Sequence, residues 1–174
     1  GTLLAFCEAR NTQADFYNGN EKKFPVTPVG SSSSKDKGDI DLVMKSSADG
    51  GATWSEMKVL VDDRDNTCGN PVPVVDADGT IHLFWCWQAY PDAVVSDLFP
   101  TLPADGHTRR VMYMRSADNG ATWSEEQSIY NGTTWEPFLY ETPDHKLQCY
   151  FTDTDPNITT HNKMGNSGTS MVVS

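Results

Sequence analysis

Long apolar runs are missing. Nowhere do the 174 residues approach the roughly 18 consecutive apolar positions of a membrane span, so the chain reads as soluble. Cations are scarce, with 13 Lys and Arg against 24 Asp and Glu and a net charge of −11. Electrostatic attraction to nucleic acid phosphate or to an anionic membrane is therefore not expected. Cysteine is sparse as well: Cys7, Cys68, Cys86 and Cys149 stand far apart without CxxC spacing, so no structural zinc site is expected. Cys7 and Cys86 lie in apolar runs, where a thiol acts as a small core residue, so free buried thiols are expected, with one disulfide as the alternative. Behind Gly1 there is no basic leader, long apolar stretch, small-residue cleavage site or starting Met. Localisation is left open on that basis, with a secreted or periplasmic place following if the source is bacterial. No run combines a 3.6-residue apolar period with caps, so helices are not expected.

What is present is 37% apolar residues, 10% aromatic, with 13 Gly and 10 Pro. That is enough for a packed core with frequent turns. The length fits one domain or a piece of a larger one. A repeat organises it. Leu42-Val-Met-Lys-Ser-Ser-Ala-Asp49-Gly-Gly-Ala-Thr-Trp54-Ser55 returns as Val111-Met-Tyr-Met-Arg-Ser-Ala-Asp118-Asn-Gly-Ala-Thr-Trp123-Ser124. Each copy is a strand that enters a tight Asp/Asn-Gly turn and leaves through Thr-Trp-Ser. Asp49 and Asp118 suit accepting backbone N–H groups, Gly51 and Gly120 suit positive φ, and each Trp suits folding over the hairpin. These roles are structural rather than catalytic.

The copies lie 69 positions apart, from Asp49 to Asp118, more than the 40–50 or so residues of a four-stranded propeller blade. The surplus is a Pro-rich stretch from Gln88 to Thr108 that reads as one long loop. Gly168-Thr-Ser-Met-Val-Val-Ser174 resembles the strand opening the motif, with Ser174 where Ser47 and Ser116 stand. Further strands are expected over Gly1–Cys7, Asp39–Lys45, Met57–Val61, Pro71–Val75, Thr80–Trp87, Arg110–Arg115, Phe138–Glu141 and Lys146–Thr152. The pattern predicts an all-β chain of successive antiparallel sheets. Because the repeat is one multi-stranded unit, it favours a β-propeller over a sandwich, residues 1–174 forming part of a single domain.

Ser-x-Asp-x-Gly-x-Thr-Trp at 47–54 and 116–123 is the Asp box, and the chain resembles a bacterial-type sialidase, an exo-α-neuraminidase built as a six-bladed propeller. Thr2-Leu-Leu-Ala-Phe-Cys-Glu-Ala-Arg10, Asp36-Lys-Gly-Asp-Ile-Asp-Leu-Val and Gly69-Asn-Pro71-Val-Pro-Val-Val-Asp are similar to family segments in the same order. About two to three of six blades are expected. The resemblance implies hydrolysis of terminal α-linked sialic acids with retention, no cofactor and no metal, and a sialylated glycan as partner. It also implies an arginine upstream of residue 1, two later arginines and a late Tyr nucleophile with its Glu, so this chain is expected to hold about half an active site. Incomplete blades also expose strand edges, where the rest of the propeller or other copies of the chain are expected to pair.

A sialic acid carries a carboxylate on the reacting carbon, and arginine's planar fork suits it. Arg10 matches a family arginine near that carboxylate; the plain alternative is an Arg paired with Glu8 or Asp15. Asp36, 13 residues before Asp49 and behind Ser31-Ser-Ser-Ser34, matches the acid/base aspartate, with Asp39 and Asp15 as competitors. Closure over a substrate would raise its pKa toward the working pH. The connection from Arg10 to Asp36 is longer than is usual in the family. Asn70 falls where the family contacts a ring hydroxyl, or else is a bulge residue before Pro71. Trp85 and Trp87 share one strand face near Tyr90 and suit either a sugar face or the core.

Trp135-Glu136-Pro-Phe-Leu-Tyr-Glu141 departs from the sialidase pattern and resembles exo-arabinanases on the same kind of propeller. Glu136 is therefore the alternative acid, against a plain strand-start Glu. A non-catalytic carbohydrate-binding propeller is the third reading. Asp153-Thr-Asp155-Pro-Asn157 lacks the Gly and distal Glu of a calcium loop, and Asn131-Gly-Thr133 and Asn157-Ile-Thr159 fit the glycosylation sequon without locating the protein.

Overall fold

The computed structural model describes residues 1–10, 38–89, 96–99, 109–132, 134–144, 146–153 and 168–173. These form ten strands: β1 Leu3–Arg10, β2 Ile40–Ser47, β3 Lys58–Val61, β4 Thr67–Val75, β5 Ile81–Gln88, β6 Arg109–Ser116, β7 Gln127–Asn131, β8 Thr134–Glu141, β9 Leu147–Asp153 and β10 Gly168–Val173. No helix occurs among the described residues. Most expected strands are present with bounds moved by one to three residues. The strands expected over 71–75 and 138–141 instead begin at Thr67 and Thr134, because each runs on through a bulge at an X-Pro pair. β7, unforeseen, is a short strand whose polar residues hide the period-2 signal.

The strands group as β1–β2–β3, β4–β5–β6–β7 and β8–β9–β10, antiparallel within each group. One parallel bridge, Ile40 to Thr67, joins the first group to the second. The first two groups share their register. Met44 pairs with Phe6 and Lys58 in one, and Tyr113 with Phe84 and Gln127 in the other, 69 positions on in β2–β3 and β6–β7. Their bulges also correspond, at Leu42/Val43 and Val111/Met112.

Each repeated turn is a closed polar ring. Ser47 Oγ donates to Asp49 Oδ1 (2.8 Å) and accepts from the Gly51 N–H (2.8 Å), while Asp49 accepts the Thr53 N–H and hydroxyl at 2.9 and 2.6 Å. The second copy repeats this through Ser116, Asp118, Gly120 and Thr122 at 2.8, 2.9, 2.8 and 2.6 Å. These donors, the Thr hydroxyl first, hold both carboxyls down to a pKa of about 2. Both oxygens of each carboxylate accept inside the turn, which is a structural role. Trp123 folds back over its own turn, its Nε1 donating to the Gly120 carbonyl at 3.2 Å, and reaches beyond it. It meets Phe6 of the first group edge-on, with centroids 6.0 Å apart, and Lys58 Nζ donates to the Gly120 and Ala121 carbonyls at 3.2 and 2.7 Å. The second turn thus fastens one group to the previous one.

Two apolar layers flank the central strands. Leu42, Val61, Leu83, Trp85, Trp87, Met112 and Met114 fill one; Phe84, Val111, Leu139, Cys149 and Phe151 fill the other, between the second and third groups. Trp85 and Trp87 are each 0% exposed. This corrects their expected place as sugar-stacking residues: both lie on the face that packs against the first group, and a ring sealed there cannot touch a ligand. Trp87 Nε1 donates to Asp63 Oδ2 at 2.6 Å, and Phe99 packs against its ring at 4.7 Å. Asp63 also accepts from Ser96 Oγ (2.7 Å) and the Asp97 N–H (2.5 Å), so one buried carboxylate ties part of the long loop to the core. All four cysteines are free; Cys68, Cys86 and Cys149 are buried, but Cys7 is exposed, because β1 turns its odd-numbered residues outward.

Candidate functional site

The second and third groups contain a further repeat. β4 and β5 reappear as β8 and β9, 66 positions later. Val72 pairs with Phe84 as Phe138 pairs with Tyr150, and Cys68 with Trp87 as Thr134 with Asp153. Asn70 and Glu136 occupy the same place, the bulge residue before a proline, and both adopt left-handed backbone with φ of 55° and 45°. A residue before proline favours extended backbone, and a non-glycine residue with positive φ costs on the order of 1–3 kcal/mol. Both strained residues line one cavity.

That cavity, of about 150 Å³, lies where the C-terminal end of β5 meets the N-terminal ends of β4, β6 and β8. Its polar walls are Arg10 and Glu8 of β1, Asn70 of β4, Gln88 of β5, Arg109 of β6 and Glu136 of β8. Five strands therefore bring together side chains 128 residues apart in the chain, from Glu8 to Glu136. Glu8 is the bridge. Its Oε2 accepts Arg10 Nε and Nη2 at 2.9 and 2.5 Å, and its Oε1 accepts the Asn70 N–H at 2.8 Å. Gly69 makes room for this, since a Cβ there would lie 2.7 Å from Glu8 Oε1. Arg109 is buried, and its Nη1 donates to the Thr134 carbonyl at 3.2 Å, linking the second group to the third. Cys86 forms part of the wall. Burial is the largest influence on its thiol and pushes it up to about 11, so it is not a nucleophile at neutral pH.

Of the residues expected at a site, Arg10, Asn70 and Glu136 converge here. The pairing of Arg10 with Glu8 and the bulge geometry of Asn70, the plain alternatives, are present as well. Asp36, Asp15 and Tyr90 lie outside the described residues. Asp39, a competitor for the acid role, is 1% exposed and so is closed to a substrate. Asp41 is pushed up to about 7, chiefly by burial, then by Asp62 and Asp39, yet Ile40 is the residue of that strand facing the cavity and Asp41 points to the other side. Its shift belongs to the sheet interior, not to the site. Sequence reading missed Arg109 and Gln88. The available signal was the recurring X-Pro pair, which marks the cavity end of β4 and β8 and hence the strand ends opposite. No group of three or more His, Cys, Asp and Glu residues arranged to hold a metal occurs among the described residues, and none of the helix-length apolar spans needed to cross a membrane is found there.

The BNR repeat-like domain family model matches residues 29–155. An exo-alpha-sialidase of Aspergillus fumigatus is 34% identical over 159 residues, covering 81% of this chain and 33% of that protein. Among solved structures, the Hadza microbial sialidase Hz136 is similar at a TM-score of 0.54 and 22% identity, over 78% of this chain and 29% of that one. The Trypanosoma rangeli sialidase in complex with sialic acid is similar at a TM-score of 0.58 and 15% identity, over 100% of this chain and 27% of that one. The chain thus spans about a third of the length of the relatives it matches. With its paired Asp boxes, its three successive antiparallel groups as blades and this likeness, the chain belongs to the BNR repeat-like domain family and forms part of a sialidase-type β-propeller.

Proposed function

We propose that the longer protein to which this chain contributes is an exo-α-sialidase that releases terminal sialic acids from glycoconjugates with retention. One observation carries the reading: in a chain of net charge −11, two guanidinium groups, Arg10 and Arg109, line a single cavity with Asn70. Glu8 and Glu136 line the same cavity, so the guanidinium groups act by direction rather than by net charge: Arg10, held by Glu8, presents a guanidinium of restricted orientation, which lowers the entropy lost on gripping a carboxylate. Asn70, fixed by its N–H to Glu8, offers an amide to a ring hydroxyl. Asp36 is the acid that protonates the leaving glycosidic oxygen. Related proteins named as sialidases support the class of chemistry.

The test is turnover of a fluorogenic α-sialoside by the longer polypeptide. Asp36→Ala is expected to lower kcat by about 10²–10⁴-fold, the usual worth of a general acid. Near-normal turnover would remove Asp36 from the mechanism. A second reading keeps the fold and makes Glu136 the acid of an exo-arabinanase-like glycosidase; the strained, exposed Glu136 at the cavity favours it. Arabinan hydrolysis lost in Glu136→Gln, with the sialoside left uncut, would select that reading.

A further inference from the structure

Between β5 and β6 the chain returns to the core at residues 96–99, where one buried carboxylate receives it. Asp63 is 0% exposed, so it touches no ligand itself. Its Oδ2 accepts Trp87 Nε1, Ser96 Oγ and Asn66 Nδ2 at 2.6, 2.7 and 3.1 Å, and its Oδ1 accepts the N–H groups of Asp97 and Leu98 at 2.5 and 3.3 Å. Ser96 Oγ in turn accepts the Phe99 N–H at 2.9 Å. Moving residues 96–99 would leave a buried charge short of donors, which fixes the segment in this one arrangement.

The segment so held acts as a wedge. Phe99 packs on the Trp87 ring with centroids 4.7 Å apart, and the Arg110 guanidinium lies over the Phe99 ring at 4.3 Å. Trp87 and Arg110 pair across β5 and β6, and the next rung, Gln88 with Arg109, is the last of that ladder. The end of a ladder opens more readily than its middle unless contacts tie it down. Gln88 and Arg109 are also two walls of the 150 Å³ cavity, and by alternation their side chains face away from those of Trp87 and Arg110. The wedge therefore grips the ladder from behind and takes up no room in the cavity.

We propose that Asp63 is a positioning residue of the candidate site: by clasping residues 96–99 it sets Phe99 against Trp87 and Arg110, and so orders the Gln88–Arg109 rung that presents an amide and a guanidinium to the ligand. A group gripped by Arg109 then meets a strand end already ordered, which lowers the entropy lost on binding. Only the kinetic consequence rests on the sialidase reading; the clasp itself does not.

The test uses the longer polypeptide. Asp63→Asn keeps the shape of the side chain but turns an amide N–H₂ toward groups that donate. Hydrogen exchange is expected to quicken at least about tenfold over residues 96–99 and at least about threefold over 86–89 and 109–111, while 81–83 and 114–116, the far end of the same ladder, stay unchanged. On the fluorogenic α-sialoside, KM is expected to rise about 5–30-fold with kcat within about twofold, because a misplaced Arg109 weakens ground state and transition state alike. Phe99→Ala removes the wedge, leaves Asp63 and its donors, and should give the same pattern at the ladder end and in KM; it carries the test should Asp63→Asn fail to fold. Arg64→Ala removes only the exposed fork to Asp97, at 2.8 and 2.7 Å, and should leave every readout within about twofold. Exchange that quickens over 96–99 alone overturns the inference whether or not the sialoside is cut. So does kcat falling with KM unmoved, or Arg64→Ala matching Asp63→Asn. A longer polypeptide that cuts no sialoside sinks the sialidase reading instead, and exchange at the ladder end then decides the clasp.

Discussion

Gly51 and Gly120 occupy the same place in the two Asp boxes, with φ of 95° and 82°, yet their surroundings differ. A Cβ on Gly51 would make ordinary contacts, 3.7 Å from Leu3 Cδ1 and 3.9 Å from the Trp54 ring. On Gly120 it would crowd Met44 and Leu4 at 3.1–3.3 Å. Replacing either by Ala imposes left-handed backbone on an L residue, about 1–2 kcal/mol. Only Gly120→Ala adds overpacking, which runs at about 1–3 kcal/mol in a tight site. Met44 is unbranched and gives way more readily than backbone would, so the lower half of that range applies. Gly51→Ala is thus expected to lose about 1–2 kcal/mol and Gly120→Ala about 2–4 kcal/mol, with at least 1 kcal/mol between them. Urea unfolding followed by circular dichroism measures both, with m unchanged if the folded and unfolded states stay as compact as before. Equal losses in the two variants would refute the seating of the second turn on the first blade.

The two buried tryptophans give another paired comparison. Trp87 Nε1 donates to the buried Asp63, while Trp85 Nε1 is buried without a hydrogen-bond partner. Trp87→Phe is therefore expected to cost about 1–3 kcal/mol more than Trp85→Phe in chemical denaturation, because it leaves a buried carboxylate short of a donor. Asp41 predicts a pH effect. Its folded pKa is raised to about 7 from 3.8, so the folded chain holds that proton more tightly, and the stability it contributes is present below about pH 4 and lost as pH rises through 7. Asp41→Asn should be the more stable chain at pH 8, by about 1–2 kcal/mol once solvent screening of this half-buried group is discounted, and should match the wild type near pH 4. A pH-independent difference in melting temperature would refute it.

The Asp boxes were legible in the sequence because everything that makes them lies within eight residues: Ser, Asp, Gly and Thr satisfy one another locally, whatever packs around them. The same holds for the strands, whose apolar content and turn residues are local, and for the net acidity. Arg10, Asn70 and Glu136 could be named singly, but not as neighbours. Only the packing of the first and third blades against the second brings positions 8 to 136 around one cavity, and the pairing of β6 with β5 adds Arg109. The face on which Trp85 and Trp87 lie was equally undecidable from alternation, since a period of two tells that they share a face and says nothing of what covers it. Covering is a long-range event, and here the first blade does it. Left-handed backbone at Asn70 and Glu136 runs against the local preference before proline, so it is imposed by the ladder on either side of the bulge. Local chemistry wrote the repeating turns and strands; contacts between distant segments chose the core, the strained residues and the site.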